Sequence, residues 1–129
     1  MRAIDTNVVI RFLTQDNRRQ SRKASAAIEA GDILVPTTVL LESEWVLRSA
    51  YGFQAERIVG ALRGLAGLPG VAVEEPALLA QALDWMEGGM DFADALHLGK
   101  AGGCTTFLSF DRRLAGAAAQ WSSLPVEEP

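Results

Sequence analysis

Ile33-Leu34-Val35-Pro36-Thr37-Thr38-Val39-Leu40-Leu41-Glu42-Ser43-Glu44 is the stretch whose reading decides the fold class. Ile33, Leu34 and Val35 form a short buried strand, and Pro36 stops it because proline has no N–H to give a ladder. Thr37 or Thr38 can then cap a helix that carries Val39, Ser43, Val46, Leu47 and Ala50 on one face and ends at Gly52. The same alternation continues on both sides. Upstream lie a strand over residues 2–5, a helix over 7–13 and a second helix over 18–30 that Gly31 ends. Downstream come a helix over 54–65, a turn over 67–70, a strand over 71–73 and a helix opened by Pro76 that runs to Glu87. After Gly88 and Gly89 a helix begins near Asp91 and closes at Gly102 and Gly103. A buried strand over 105–109, a short helix opened by Asp111 and an edge strand over 124–126 complete the chain. Short apolar strands separated by helices indicate an α/β sandwich with a central, mainly parallel sheet, and such sheets bind ligands at the carboxyl ends of their strands.

At 129 residues the chain has the length of one domain, 1–129, with no internal repeat or linker. A chain of that size buries roughly two thirds of the surface its unfolded form exposes. A hydrophobic share of 49 % and a charged share of 22 % exclude disorder and a fibrous class. The longest uncharged stretch, 114–126, contains Gln120, Ser122, Ser123 and Pro125, too short and too polar to cross a bilayer. Asp5 stands where a signal peptide would begin its apolar segment, so the expected compartment is the cytoplasm. Cys104, the single cysteine, has no partner for an internal disulfide and reads as a small buried filler rather than a nucleophile.

Sixteen acids against twelve bases give a net charge of −4, the wrong sign for bulk attraction to nucleic acid. Residues 1–23 run against that balance with six bases and two acids, which make either a solvated helix face or a local contact for phosphates.

The acids themselves carry more. Asp5 directly follows the first strand, where it can cap a helix. Glu42 and Glu44 are separated by helical geometry: at about 100° per residue the apolar stripe centres between Val39 and Ser43, which places Glu42 at its edge and Glu44 on the far, solvent side. Arg48, four residues beyond Glu44, gives it a surface partner, whereas no base lies within one turn of Glu42 on its side. Asp91 and Asp94 occupy the first turn of their helix, as a cap and its third-residue partner or as a functional pair. Asp94 falls beside Ala95, Leu98 and Ala101, while His97 and Lys100 point elsewhere, so His97 reads as a surface or supporting residue. Asp111 follows the strand over 105–109 and can again be a cap. Each acid alone has this structural reading, but Asp5, Glu42, Asp94 and Asp111 together are expected to converge on one rim of the sheet. Carboxylates that close raise one another's pKa unless a cation sits among them. Hard oxygen donors, with no Cys/His spacing for zinc, suit Mg²⁺ or Mn²⁺. Such an ion lowers the pKa of a bound water and stabilises charge on a phosphoryl oxygen, the requirement of phosphodiester hydrolysis.

Four blocks then stand in a telling order: Ile4-Asp5-Thr6-Asn7-Val8, Leu41-Glu42-Ser43-Glu44-Trp45-Val46-Leu47-Arg48, Asp91-Phe92-Ala93-Asp94-Ala95-Leu96-His97 and Phe107-Leu108-Ser109-Phe110-Asp111. With them the chain resembles PIN-domain proteins of the VapC toxin type over essentially its full length. The resemblance implies a Rossmann-like α/β/α sandwich, metal-dependent cleavage of RNA and a partner antitoxin that blocks the site. It implies Asp5 and Asp94 as principal metal ligands, Glu42 as a further ligand directly or through water, Asp111 as the fourth and more variable acid, and Asp91 as an auxiliary acid. Thr6 and Asn7 match positions that orient Asp5, and Ser109 a position that supports Asp111. A homodimer that holds an antitoxin peptide in a groove of the early helices is also implied, and the apolar faces carrying Trp45, Val46 and Tyr51 allow it. Arg11, Arg18 or Arg112 are expected to hold the RNA strand.

Competing classes are a phosphoryl hydrolase of the haloacid-dehalogenase kind, a DNA nuclease, and an antitoxin-binding module with little or no nuclease activity. The first needs a second Asp two residues after Asp5, where Asn7 stands.

Overall fold

The computed structural model describes residues 1–129. The chain packs as two compact units, Met1–Pro76 and Ala77–Pro129.

The first unit contains β1 (Arg2–Ala3), α1 (Thr6–Thr14), α2 (Arg18–Glu29), β2 (Ile33–Val35), α3 (Thr37–Ser49), α4 (Ala55–Ala66) and β3 (Val71–Val73). The strands form one sheet in the order β1-β2-β3, parallel throughout, with Arg2 opposite Ile33 and Ile33 opposite Val71. The Ile4 N–H still pairs with the Leu34 carbonyl at 3.1 Å, so the ladder runs to the residue before Asp5. Gly70, at φ +77°, brings the turn before β3 so close to Gly31 that a Cβ there would meet the Gly31 Cα at 2.7 Å, and only glycine fits. α1 packs on α2 and α3, α3 on α4, and α4 against β3. Val9, Ile10, Ile33, Val35, Leu40, Leu47, Ile58 and Leu62 are among its buried residues. A leucine buried to that degree contributes roughly 2 kcal/mol.

α3 departs from expectation in two ways. Thr37 and Thr38 do not cap it: Pro36 occupies the N-cap position and has no side chain to offer, so Glu74 from beyond β3 accepts the Thr37 N–H at 3.0 Å and Glu75 accepts the Thr37 hydroxyl at 2.7 Å. The buried stripe is also not the one centred between Val39 and Ser43. It is Leu40, Ser43, Glu44 and Leu47, so Glu44 lies inside at 2 % exposure and Glu42 outside. Val39, Leu40, Leu41, Trp45, Val46 and Leu47 make the helix apolar on most sides, so two adjoining stripes compete. The one with two leucines two turns apart wins, and Arg48 Nε, 2.8 Å from Glu44 Oε2, makes the buried carboxylate tolerable.

The second unit contains α6 (Phe92–Lys100), β4 (Phe107–Leu108), α7 (Arg112–Trp121) and β5 (Val126–Glu127), and it carries α5 (Pro76–Glu87) from its second residue on. β4 and β5 pair in parallel, Phe107 opposite Val126. Leu79, Leu83, Met86, Phe92, Leu96, Leu98 and Leu114 are buried. The buried strand expected over 105–109 is two residues long and Leu108 on it is 58 % exposed, because β4 pairs with a single short strand, β5, and the Ser109 hydroxyl turns the chain at Asp111 by accepting its N–H. Cys104 is exposed rather than a filler: the Gly102-Gly103 turn carries it past the end of α6, onto the rim of a cavity of about 480 Å³ shared with Trp85 and Trp121. No helix is long and apolar enough to cross a membrane.

Candidate active site

In the first unit, Asp5 sits at the carboxyl end of β1 as the N-cap of α1, with Oδ1 accepting the Thr6 N–H at 2.8 Å and the rest of the carboxylate exposed. The Thr6 hydroxyl, buried beside it, donates to Glu42 Oε1 in a short hydrogen bond. Thr6 therefore touches both acids, Asp5 through its backbone and Glu42 through its side chain, and couples the start of α1 to the second turn of α3. Asn7 makes no hydrogen bond to Asp5 and lines the groove between α1 and α2.

Arg11 is engaged elsewhere in this unit. Its Nε donates to Gln20 at 2.7 Å, and its Nη1 faces Asp16 and the Tyr51 hydroxyl, each at 3.2 Å. The Tyr51 hydroxyl, first, and that of Thr14 hold the Asp16 carboxyl below its usual range. Arg2 likewise closes the end of α2, its Nη2 donating to the Ala27 and Gly31 carbonyls at 2.9 and 3.0 Å. Of the six early bases all but Arg11 are exposed, and Arg18, Arg19, Arg22 and Lys23 stand together on α2.

In the second unit, a turn at Gly88 and Gly89 delivers Asp91. Gly89 adopts φ +110°, and a Cβ on Gly88 would stand 2.1 Å from the Trp121 ring. Asp91 is the N-cap of α6, accepting the Asp94 N–H at 3.1 Å. Asp111 is the N-cap of α7, its Oδ1 accepting the N–H groups of Arg113 at 2.9 Å and Leu114 at 3.3 Å, while the Ser109 hydroxyl accepts the Asp111 N–H at 3.0 Å. Asp91, Asp94 and Asp111 line one cleft of about 320 Å³ together with Arg113. Asp94, half-buried there, has its carboxyl pushed above its ordinary range, by burial first and then by the charges of Asp91 and Asp111, with His97 and Arg113 pulling the other way. His97 itself is exposed.

The structure thus brings together Asp5 and Glu42 in one unit and Asp91, Asp94 and Asp111 in the other. Within neither unit do three His, Cys, Asp or Glu side chains stand close enough to form a finished coordination shell. The donors available are carboxylate and hydroxyl oxygens, the set a hard divalent cation prefers, and the crowding at Asp94 is of the kind a cation relieves.

Sequence reasoning missed Arg113. It chose Arg112, and only the choice of Leu114 and Ala118 as the buried face of α7 turns Arg113 toward the acidic cleft. It also missed Glu74 and Glu75, whose signal was present as a helix that opens on proline with no capping side chain.

The PIN domain family matches residues 3–120, across both units. This chain belongs to the PIN domain family. PIN domains are a family of nucleases, so the chain has the fold of a nuclease-type hydrolase. The α/β class with parallel strands expected from the alternation of strands and helices holds, with seven helices, and so does the Rossmann-like α/β/α sandwich that the resemblance implies. No curated protein matches this PIN domain closely enough to count as a relative.

Proposed function

We propose that this PIN domain, acting as one domain, is a Mg²⁺- or Mn²⁺-dependent endoribonuclease and the toxin of a toxin–antitoxin pair. The observation that supports it most is Asp94: a half-buried carboxyl crowded by two further carboxylates in a cleft that also holds Arg113. Such crowding costs stability in the protein alone and is relieved by a divalent cation. In this reading Asp5 and Asp94 hold the metal, Glu42 completes the set directly or through water, and Asp111 is the fourth acid, with Asp91 auxiliary. When bound, the ion supplies a water of lowered pKa and positive charge at the scissile phosphate. Thr6 supports Asp5 through its N–H and fixes Glu42 through its hydroxyl, Asn7 faces the groove between α1 and α2 instead, and Ser109 supports Asp111. Arg112 and Arg113 face flanking phosphates; Arg11, turned to Asp16 and Gln20, offers only its remaining edge.

The test is incubation of the purified chain with defined RNAs and with DNA of the same sequence, in Mg²⁺ or Mn²⁺ and then in chelator. Metal-dependent cleavage of RNA, lost in Asp5→Asn and Asp94→Asn variants that remain folded, is expected. Cleavage that survives chelator, or Asn variants that cut at the wild-type rate, overturns the reading, and cleavage confined to DNA replaces the substrate.

The same reading includes a homodimer and an antitoxin peptide laid in the groove between α1 and α2. That groove is lined by Asn7, Val8, Arg11, Gln20 and Lys23, and Trp45 stands 57 % exposed on α3. Light scattering of the isolated chain tests the dimer, and a strict monomer at high concentration counts against it.

A further inference from the structure

Phe110 is 76 % exposed, more than any other large apolar side chain of the protein. A single apolar side chain in water is common, but a phenyl ring left there forgoes roughly 2 kcal/mol of burial, and the surroundings of this one are fixed. The Ser109 N–H pairs with the Glu127 carbonyl at 3.0 Å, so the chain is laddered up to the residue before Phe110. The Ser109 hydroxyl then accepts the Asp111 N–H, and Asp111 caps α7. The ring therefore stands on a backbone pinned on both sides while packing on no other aromatic ring. Leu108, two residues earlier at the end of β4, is also exposed. Arg112 and Arg113 follow at once, both exposed, and Arg113 and Asp111 line the acidic cleft.

We propose that Phe110 is a stacking platform for an unpaired nucleobase of the substrate strand, one residue from the Asp111 that lines the cleft. An aromatic face beside paired guanidinium groups is the combination that holds single strands: the ring takes a base and the cations take the phosphates on either side. A base inside a duplex has both faces covered by its neighbours and cannot use the ring. This inference rests on the nuclease reading above for its position beside the reacting phosphate, but its binding consequence is separate from cleavage.

The wild-type chain, kept in chelator, is titrated with a short single-stranded RNA carrying 2-aminopurine and with the same RNA annealed to its complement. Stacking quenches the probe. Phe110→Ala is expected to weaken single-strand binding about ten-fold or more and to abolish the quench, while Phe110→Trp restores both and duplex binding is unchanged. With Mg²⁺ present, Phe110→Ala should raise KM for the single strand and leave kcat near wild type. Equal binding and quench in Phe110→Ala, equal losses on single strand and duplex, or no binding by wild type each overturn the proposal. If wild type binds through Phe110 but does not cleave, the nuclease reading fails and the platform stands. If wild type cleaves and Phe110→Ala changes neither KM nor quench, the platform fails and the nuclease reading stands.

Discussion

Asp111 combines two roles whose energies can be separated: it caps α7 through Oδ1 and presents a carboxylate to the cleft. Serine caps a helix nearly as well as aspartate but carries no charge, whereas alanine does neither. Asp111→Ser should therefore keep the wild-type Tm and lose activity, and Asp111→Ala should lose activity and about 1 kcal/mol of stability. A Ser variant with full activity would reduce Asp111 to a cap. Asp94 makes the opposite bargain. Because its folded pKa is raised, its ionised form opposes folding: the penalty is absent well below 3.8, grows as pH rises from there toward the higher folded value and is complete above it. In chelator at pH 7, Asp94→Asn should melt slightly above wild type, by roughly 1–3 °C, and that gap should close below about pH 4. Its cleavage rate should nonetheless fall by roughly 100-fold or more. Calorimetry across pH checks the first statement and RNA cleavage the second.

At the level of an element, α3 shows a choice between faces. Its buried stripe includes the Glu44 carboxylate, held by a half-exposed Arg48, and a Ser43 hydroxyl that has no hydrogen-bond partner. Arg48→Ala should destabilise by on the order of 2 kcal/mol, less than the loss of a partner in a fully buried pair, because Arg48 itself reaches solvent. Replacing both Glu44 and Arg48 by methionine should recover most of it. Ser43→Ala removes a buried polar group that nothing satisfies and should stabilise by about 1 kcal/mol. Urea denaturation of the three variants decides this. If Arg48→Ala were neutral and Ser43→Ala destabilising, Glu44 would be facing solvent and Ser43 would be hydrogen-bonded, as in the alternative stripe.

For the whole molecule, the proposed roles of Asp5 in the first unit and Asp94 in the second have a joint consequence. Anything that binds only the folded state raises Tm by mass action. Millimolar Mg²⁺ or Mn²⁺ should raise the wild-type Tm by several degrees, and Asp5→Asn and Asp94→Asn should each remove most of that rise. Because protons compete for Asp94, the metal-dependent rise should shrink as pH falls toward its raised pKa. If one variant kept the full metal response while the other lost it, the two acids would not be serving a common ion.

How much of this was legible in the residues depends on whether a local pattern sufficed. Ile33–Val35, Val71–Val73 and the helices opened by Asp5, Pro76, Asp91 and Asp111 are set by stop and cap signals within a few residues of themselves, so their places could be read without coordinates. The same locality explains why the acids themselves stood out, since each sits where a strand ends or a helix starts or just inside one. Facing and exposure are different in kind. α3 is apolar on most sides, so only the packing of Leu40 and Leu47 determines that Glu44 goes in and Glu42 stays out. Its cap comes from Glu74, 37 residues away, a distance no local pattern spans. Arg113 rather than Arg112 meets the acidic cleft because Leu114 and Ala118 are buried. Sequence alone determined which elements form and which residues could do chemistry, because backbone signals act over one or two turns. Tertiary structure decided which side of each helix is wet, because that depends on the volume of apolar side chains a neighbour can cover.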